Sequence, residues 1–402
     1  MLREEEKPLE KKASRKKDKS GTPGSRMYRL IFFLVRLWLG RKQRLEIDDA
    51  LMRDVEAPYI MLSNHESFFD FYYLSKLAHP KKPSFLVNEY YCTRPILKTM
   101  SRRGGILSKK LFTKDIGAPV GMLRMIRAGW PIVIFPEGRL SSDGRTNPIV
   151  ERGAAFYKKL GCDIVLVKID GAYFAAPKWR GKTFRSTVRV KVERVIRKEE
   201  LRSFTNAELD ALIEKTLYHD ASEKPFNRYP QRNKAKGLEG ILYRCADCGA
   251  LYTTRGEGSE LICSPCGARH RLNERYLFDD DAVSIPAYYD RIKRLERAEL
   301  GAFQLRADVR TKIFGANGGP IRWEEGACEL TRERFHYISE NTEITIPTEK
   351  LPALAYSCGE EFELYNGDEL FYFYPRENPQ QTARWALLVD LLREERERDD
   401  PV

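Results

Sequence analysis

The sequence predicts an α/β domain with a central mixed sheet flanked by helices, then a small four-cysteine module, then a β-rich domain closed by a helix. Three patterns carry this reading: short apolar runs alternating with helical segments between residues 57 and 200, two Cys-x-x-Cys pairs beyond residue 240, and period-two patterning with a hairpin signal near the C-terminus. The 402 residues suffice for two or three domains at about 150 residues each, so a single small stapled module is excluded. Hydrophobic residues are 42% and charged residues 32%, with a mean hydropathy of −0.52, which excludes a wholly disordered chain and one that crosses a bilayer repeatedly. No apolar run approaches the ~20 residues of a spanning helix.

The net charge of +12 is unevenly spread. Residues 1–235 hold 48 Lys and Arg against 27 Asp and Glu, whereas residues 236–402 hold 22 against 31. The first part has the field expected for an anionic partner: nucleic acid, an anionic membrane or a phosphorylated substrate. The acidic second part argues against a chain that coats DNA along its length.

Residues 1–26 are a charged tract with too little apolar surface to order itself, read as a tail. The stretch that follows, expected as an amphipathic helix over residues 27–50, places Arg29 and Arg36 seven apart on one face, with Phe32, Phe33, Leu34, Leu37 and Trp38 elsewhere. Such a helix suits the headgroup layer of an anionic membrane, or it docks on the protein's own core. The long charged lead and the lack of a small-residue cleavage site argue against a secretory signal.

In the α/β domain, residues 51–235, Tyr59 to Leu62, Phe85 to Val87, Ile132 to Phe135 and Ile164 to Val167 read as buried strands, and Ile116 to Ala128 and Arg152 to Leu160 as helices. In Ser186 to Val192, valines alternate with Arg189 and Lys191, which predicts a half-exposed strand near an edge. Chemistry gathers at the strand ends. Met61-Leu62 runs into Ser63-Asn64-His65-Glu66-Ser67-Phe68-Phe69-Asp70, where an imidazole and a carboxylate are five positions apart. On one regular helix they would stand about 140° apart, so a joint role needs His65 on the loop and Asp70 in the first turn behind a Ser67 cap. Ser67 and Asp70 equally fit an ordinary capping box.

The second constellation follows Ile132 to Phe135: Pro136-Glu137-Gly138-Arg139-Leu140-Ser141. Gly138 permits close backbone approach, and Arg139 offers a planar fork for phosphate at the strand edge where open α/β sheets bind ligands. A turn with a solvated arginine is the plainer alternative. Between the two, Arg102-Arg103-Gly104-Gly105-Ile106 to Lys109-Lys110 adds positive charge.

Together these residues resemble the glycerolipid acyltransferases typified by lysophosphatidic acid (1-acylglycerol-3-phosphate) acyltransferase. Asn64, His65 and Asp70 meet that family's Asn-His-x-x-x-x-Asp motif, and Phe135, Pro136, Glu137 and Gly138 meet the start of its Phe-Pro-Glu-Gly-Thr-Arg-Ser motif. Here Arg139 comes one place early, as in the 2-acylglycerophosphoethanolamine branch. Gly105, Ile106 and Lys110 match a third motif loosely, and Leu166 stands at the proline of the fourth. The resemblance implies acyl transfer from a thioester, on acyl carrier protein or coenzyme A, to a lysophospholipid hydroxyl, with 1-acyl-sn-glycerol-3-phosphate the leading acceptor. His65 would be the general base and Asp70 its orienting acid; Arg139 and Lys110 would hold the acceptor's phosphate, and Glu137 would orient that arginine or a glycerol hydroxyl. No serine nucleophile is needed. It also implies a peripheral enzyme on the cytoplasmic face of the cell membrane. A non-catalytic lipid-binding scaffold of the same fold is the competing reading.

Past Lys236, Cys245-x-x-Cys248-Gly249 and Cys263-x-x-Cys266-Gly267 form two near-identical knuckles. Their spacing predicts a structural Zn2+ ribbon over residues 236–280, with redox thiols as the alternative. A closed four-thiolate site leaves no position for substrate. Zinc ribbons can bind nucleic acid, but the acidic surroundings argue against it, and His270 reads as a surface residue. Cys92, Cys162, Cys328 and Cys358 read as small core residues. Residues 281–402 are expected to hold a helix at Ala287 to Ala298, strands at Arg322 to Thr331 and Arg334 to Ser339, and a hairpin turning at Asn366-Gly367. A final helix follows, with Trp385, Leu388, Val389 and Leu392 on one face, and the whole resembles a pleckstrin-homology-like domain. This half is expected to recruit a protein partner or to regulate.

Overall fold

A computed structural model describes residues 26–89, 105–113, 117–149, 152–315 and 319–399. The expected tail apart from Arg26, together with Cys92, Arg102, Arg103 and Gly104, lies outside the described residues.

The apolar runs form one mixed sheet. Its strands are β1 (Gln43–Asp48), β2 (Tyr59–Ser63), β3 (Ser84–Asn88), β4 (Ile106–Lys109), β5 (Ile132–Ile134), β6 (Asp163–Asp170) and β7 (Ser186–Ile196), in the order β1-β7-β6-β2-β5-β3-β4. β6 and β7 are antiparallel and the other pairs parallel. β2 and β5 are buried at every position because helices cover both faces. Ile60, Leu62, Ile132 and Ile134 pack toward α3 (Gly117–Arg127), α4 (Ala154–Leu160) and α5 (Asn206–Leu217). Tyr59, Met61 and Val133 pack toward α1 (Arg26–Leu39) and α2 (Asp70–Leu77). β7 alternates as expected, with Val188, Val190 and Val192 inward and Arg189 and Lys191 outward.

β1 corrects the expectation of a helix through residue 50. The helix stops at Leu39, and Leu45 and Ile47 alternate with charged neighbours at the period of a strand, which pairs in parallel outside β7. Strand β7 is therefore one place in from the edge. α1 docks one side on the domain's own core and leaves the other side exposed. Tyr28 and Leu39 are buried and Phe32 and Val35 pack on the α2 side, whereas Leu30, Phe33, Leu34 and Leu37 stay about half exposed.

The cysteine module consists of β8 (Thr254–Glu257), β9 (Glu260–Cys263) and β10 (Arg269–Arg271), then the short pair β11 (Leu277–Phe278) and β12 (Val283–Ser284), which leads into α6 (Ile285–Glu299). Beyond it a β-rich part closed by a helix is present. Its antiparallel sheet contains β13 (Leu305–Phe314), β14 (Ile321–Leu330), β15 (Arg334–Ser339), β16 (Glu343–Pro347), β17 (Ala355–Tyr356), β18 (Phe362–Asn366) and β19 (Glu369–Pro375), in the order β16-β15-β14-β13-β19-β18-β17, and α7 (Gln381–Asp399) follows. Asn366 pairs with Glu369, so the tight loop is Gly367-Asp368 rather than Asn366-Gly367, and Gly367 takes the positive φ of 59°.

These parts are not strung as independent beads. Tyr173, Phe174 and Tyr229 of the α/β part share one continuous core with Tyr276 of the cysteine module and with Phe362 and Trp385 beyond it. Arg145 adds a bidentate pair with Asp290 on α6 at 2.7 and 2.9 Å.

Candidate active site

β2 and β5 are parallel neighbours, so their C-terminal ends reach the same edge of the sheet. The Asn64 side chain makes two bonds to Ile169: its amide donates to the carbonyl at 2.8 Å, and its oxygen accepts from the backbone N–H at 2.7 Å. That tie fixes the point at which the loop leaves the sheet and carries His65. The His65 backbone N–H donates to Glu137 Oε1 at 2.6 Å, and its ring stacks on Phe135 with centroids 3.9 Å apart. His65 Nδ1 lies 2.9 Å from Asp70 Oδ2, which also accepts the Ser67 backbone N–H at 2.9 Å.

The local turn explains how residues five apart can meet. Helix α2 starts at Asp70, later than a Ser67 cap would place it. The Ser67 hydroxyl accepts from Phe69 N–H at 3.2 Å, and its carbonyl accepts from Asp70 N–H at 3.1 Å. The chain folds back before the helix begins, so the separation a continuous helix would impose does not arise. With Nδ1 held toward the carboxylate, Nε2 is left as the proton acceptor. Burial pushes the Asp70 carboxyl above its ordinary range, while the bonds from His65 and Ser67 favour its charged form. An Asp70→Asn variant can present an N–H to Nδ1 and so favours the wrong tautomer. Its kcat for whatever proton transfer His65 performs is expected to fall by about 10²- to 10⁴-fold, measured on folded protein.

Glu137, expected to orient Arg139 or a glycerol hydroxyl, is bonded instead to the His65 loop and to Asn147. It is buried directly beneath the His65 loop, and both carboxylate oxygens are engaged, one by His65 N–H and the other by the Asn147 backbone and side-chain amides at 2.6 and 2.9 Å. Burial pushes it up to about 8, against the pull of those donors. Gly138 has a φ of 70°, and a Cβ there would meet the Phe112 ring at 3.0 Å, so the position needs glycine.

Arg139 and Lys110 also differ from expectation. Arg139 is buried, pairs with Asp390 of α7 and donates to the Leu354 carbonyl at 3.0 Å. Lys110 pairs with Asp368 in the β18–β19 loop. Both cations are neutralised by carboxylates from the C-terminal sheet and helix rather than held open for a phosphate. Leu166 is buried in β6 beside Leu62.

Sequence reasoning passed over a second cluster. His219 Nε2 lies 3.0 Å from Glu66 Oε1 and 3.2 Å from Asp170 Oδ1, and Glu66 Oε2 accepts the backbone N–H groups of Ala172 and Tyr173. Burial would lower the histidine, but the Glu66 and Asp170 carboxylates outweigh it and raise it to about 10. The imidazolium thus ties the His65 loop to the β6 end. Since the folded value exceeds the ordinary one near 6.5, its stabilisation is complete below pH 6.5 and lost as pH rises toward 10. Thermal melts are expected to fall across that window in the native chain, and His219→Gln should flatten that fall.

His65 opens onto a cavity of about 1360 Å³ whose walls include Phe32 and Trp38 of α1, Phe68, Phe156 and, from the C-terminal sheet, Tyr356 and Tyr372. Apart from it, the ligand atoms of Cys245, Cys248, Cys263 and Cys266 lie within 4.8 Å of one another. The Cys245–Cys266 and Cys248–Cys263 sulfurs are 3.8 and 3.7 Å apart. Four thiolates at 2.3 Å from a tetrahedral ion would be separated by about 3.8 Å, so the donor set fits such an ion. His270 stays outside, bridging Asp247 and Asp279 at 2.7 Å each.

Residues 44–169 match the family model described as Acyltransferase, and this stretch contains His65, Asp70, Lys110, Glu137, Gly138 and Arg139. That stretch of the α/β part is thus similar to the acyltransferase family. The chain is similar to the 1-acyl-sn-glycerol-3-phosphate acyltransferase BAT2, chloroplastic, of Brassica napus, at 26% identity over 118 residues, which are 29% of this chain and 34% of that protein. It therefore spans about a third of the length of that curated relative. The crystal structure of the 1-acyl-sn-glycerophosphate (LPA) acyltransferase, PlsC, from Thermotoga maritima aligns with a TM-score of 0.40 at 19% identity, covering 46% of this chain and 73% of that one.

Proposed function

We propose that the chain is an O-acyltransferase that moves a fatty acyl group from a thioester to the free hydroxyl of a lysophospholipid built on 1-acylglycerol 3-phosphate. The observation that carries this is the 2.9 Å contact between His65 and Asp70 at the wall of a large cavity with many aromatic side chains. The acceptor oxygen attacks the acyl carbonyl while His65 Nε2 takes its proton, and the thiol leaves with that proton. Asp70 stabilises the imidazolium that forms, Glu137 and Asn64 hold the loop, and the cavity aromatics accept acyl chains. The donor is an acyl carrier protein or coenzyme A thioester. Incubating the full chain with a labelled acyl thioester and lysophospholipid vesicles should yield diacyl phospholipid. Recovering only unreacted donor and free fatty acid would refute the reading.

Two further assignments accompany it. Among the described residues no helix is long and apolar enough to cross a membrane, but α1 presents Leu30, Phe33, Leu34 and Leu37 beside cavity residues Phe32 and Trp38. We assign this face to the cytoplasmic surface of an anionic bilayer, from which acceptor and product exchange. Phe33→Glu is expected to release the protein from anionic vesicles in a sedimentation assay, and undiminished binding would count against the assignment. The four cysteines are assigned a structural Zn2+.

A further inference from the structure

Helices cover the central sheet on both faces, and the cavity at its edge is lined from either side. On one side stand Phe32 and Trp38 of α1; on the other, Pro119 and Met122 of α3 and Phe156 of α4. With α1 on the bilayer, the α3 side faces water.

The outer face of α3 is unlike an ordinary solvated helix surface. Ala118, Met122, Met125 and Ile126 are buried, whereas Val120, Arg124 and Arg127 are exposed. These three stand at i, i+4 and i+7 and so share one stripe. Val120 is 63% exposed, more than any other large apolar side chain among the described residues. A β-branched residue is a poor helix former, so propensity gives no reason for it there. Solvated helices commonly pair opposite charges four apart, but α3 contains no acidic residue, and among the described residues neither arginine forms an ion pair. Arg152, exposed at the cavity rim before α4, forms none either. An apolar side chain beside unpaired arginines fits the surface of an acidic protein. The stripe runs about 10 Å from Val120 to Arg127, beginning beside Pro119 and ending more than a turn beyond Met122. A small free cofactor entering the cavity has no use for so distant an arginine, nor for an exposed valine.

We infer that the outer stripe of α3 docks an acidic acyl carrier protein, which passes its thioester arm by Arg152 into the cavity lined by α3 and α4. The inference rests on the acyl-transfer reading above and deepens it, selecting the protein-borne donor and the surface that receives it. Acceptor and donor then approach His65 from opposite faces of the sheet, the lysophospholipid from the bilayer beside α1 and the carrier from water beside α3.

The test is steady-state kinetics with the full chain, 1-acylglycerol 3-phosphate in anionic phosphatidylglycerol vesicles, and one fatty acyl group offered on acyl carrier protein or on coenzyme A. For the native chain kcat/KM is expected to be about tenfold or more higher with the carrier thioester, an advantage that shrinks as salt rises. Arg124→Glu/Arg127→Glu should raise KM for the carrier thioester by about tenfold or more with little change in kcat. Kinetics with the coenzyme A thioester, and sedimentation with the vesicles, should match the native chain. Val120→Asp alone, in the same assays, serves if the double charge reversal disturbs folding. An unchanged KM for the carrier thioester in a folded variant, an equal loss with both donors, or a native preference for coenzyme A overturns the inference while leaving acyl transfer intact. Loss of vesicle sedimentation in the variant would place α3 on the bilayer and overturns it as well. Absence of diacyl product from both donors overturns the acyl-transfer reading itself, and this inference with it.

Discussion

Replacing His65 by alanine is expected to lower kcat for acyl transfer by about 10²- to 10⁴-fold, with thermal stability close to that of the native chain. The expectation follows from the position of the ring. Its backbone N–H is held by Glu137, its face by Phe135 and its Nδ1 by Asp70, so the remaining nitrogen is the group available to a hydroxyl in the cavity. Alanine keeps the backbone bond to Glu137 and removes only the imidazole. A loss below tenfold would mean that another group takes the proton, or that the domain works as a scaffold. Product formation from a labelled thioester, corrected for donor hydrolysis, distinguishes these outcomes.

The second large effect concerns the four cysteines. A Cys245→Ser/Cys266→Ser variant, or the native chain after exhaustive chelation, is expected to melt about 10 °C or more lower, because a structural zinc contributes much of the folding energy of a small module. The consequences should reach past the module. Arg244, the residue before Cys245, pairs with Glu299 and lies 3.4 Å from Glu296 of α6, and Arg384 of α7 meets the same buried Glu296 at 3.1 Å. Tyr288 of α6 accepts the Ala246 N–H at 3.0 Å. Loosening the knuckles therefore loosens α7, whose Asp390 holds Arg139 at the cavity. Metal analysis of the native chain should find one zinc per chain. Finding none, together with an unchanged melt in the variant, would favour the redox reading of these thiols.

The sequence disclosed features set by short-range rules and concealed those set by distant partners. β2, β5 and β6 were legible because strands covered on both faces are continuously apolar, and the His65–Asp70 pair because a loop and one turn bring them together. β13 alternates strictly from Leu305 to Ile313 and could have been recognised by period; β1 was hidden by its continuity with the helix before it. The guanidinium fork of Arg139 and the family resemblance point Arg139 and Lys110 toward a phosphate. Their partners, Asp390 and Asp368, come 251 and 258 residues later. The bonds of Glu137 are hidden in the same way on a shorter scale, since they depend on β5 lying beside β2 and on Asn147 returning to it.

Direct attack by the acceptor hydroxyl is the central claim, and among the described residues a thiol of the cavity wall could offer another route. Cys358 lines the cavity, and burial raises that thiol to about 11, far from a reactive thiolate near neutral pH. Rapid quenching of the native chain with labelled acyl thioester, followed by intact-protein mass spectrometry, tests the point. Diacyl product is expected when acceptor is present, with no acylated protein at any time. An acyl group that forms on Cys358, or on any other side chain, as fast as product appears would contradict it.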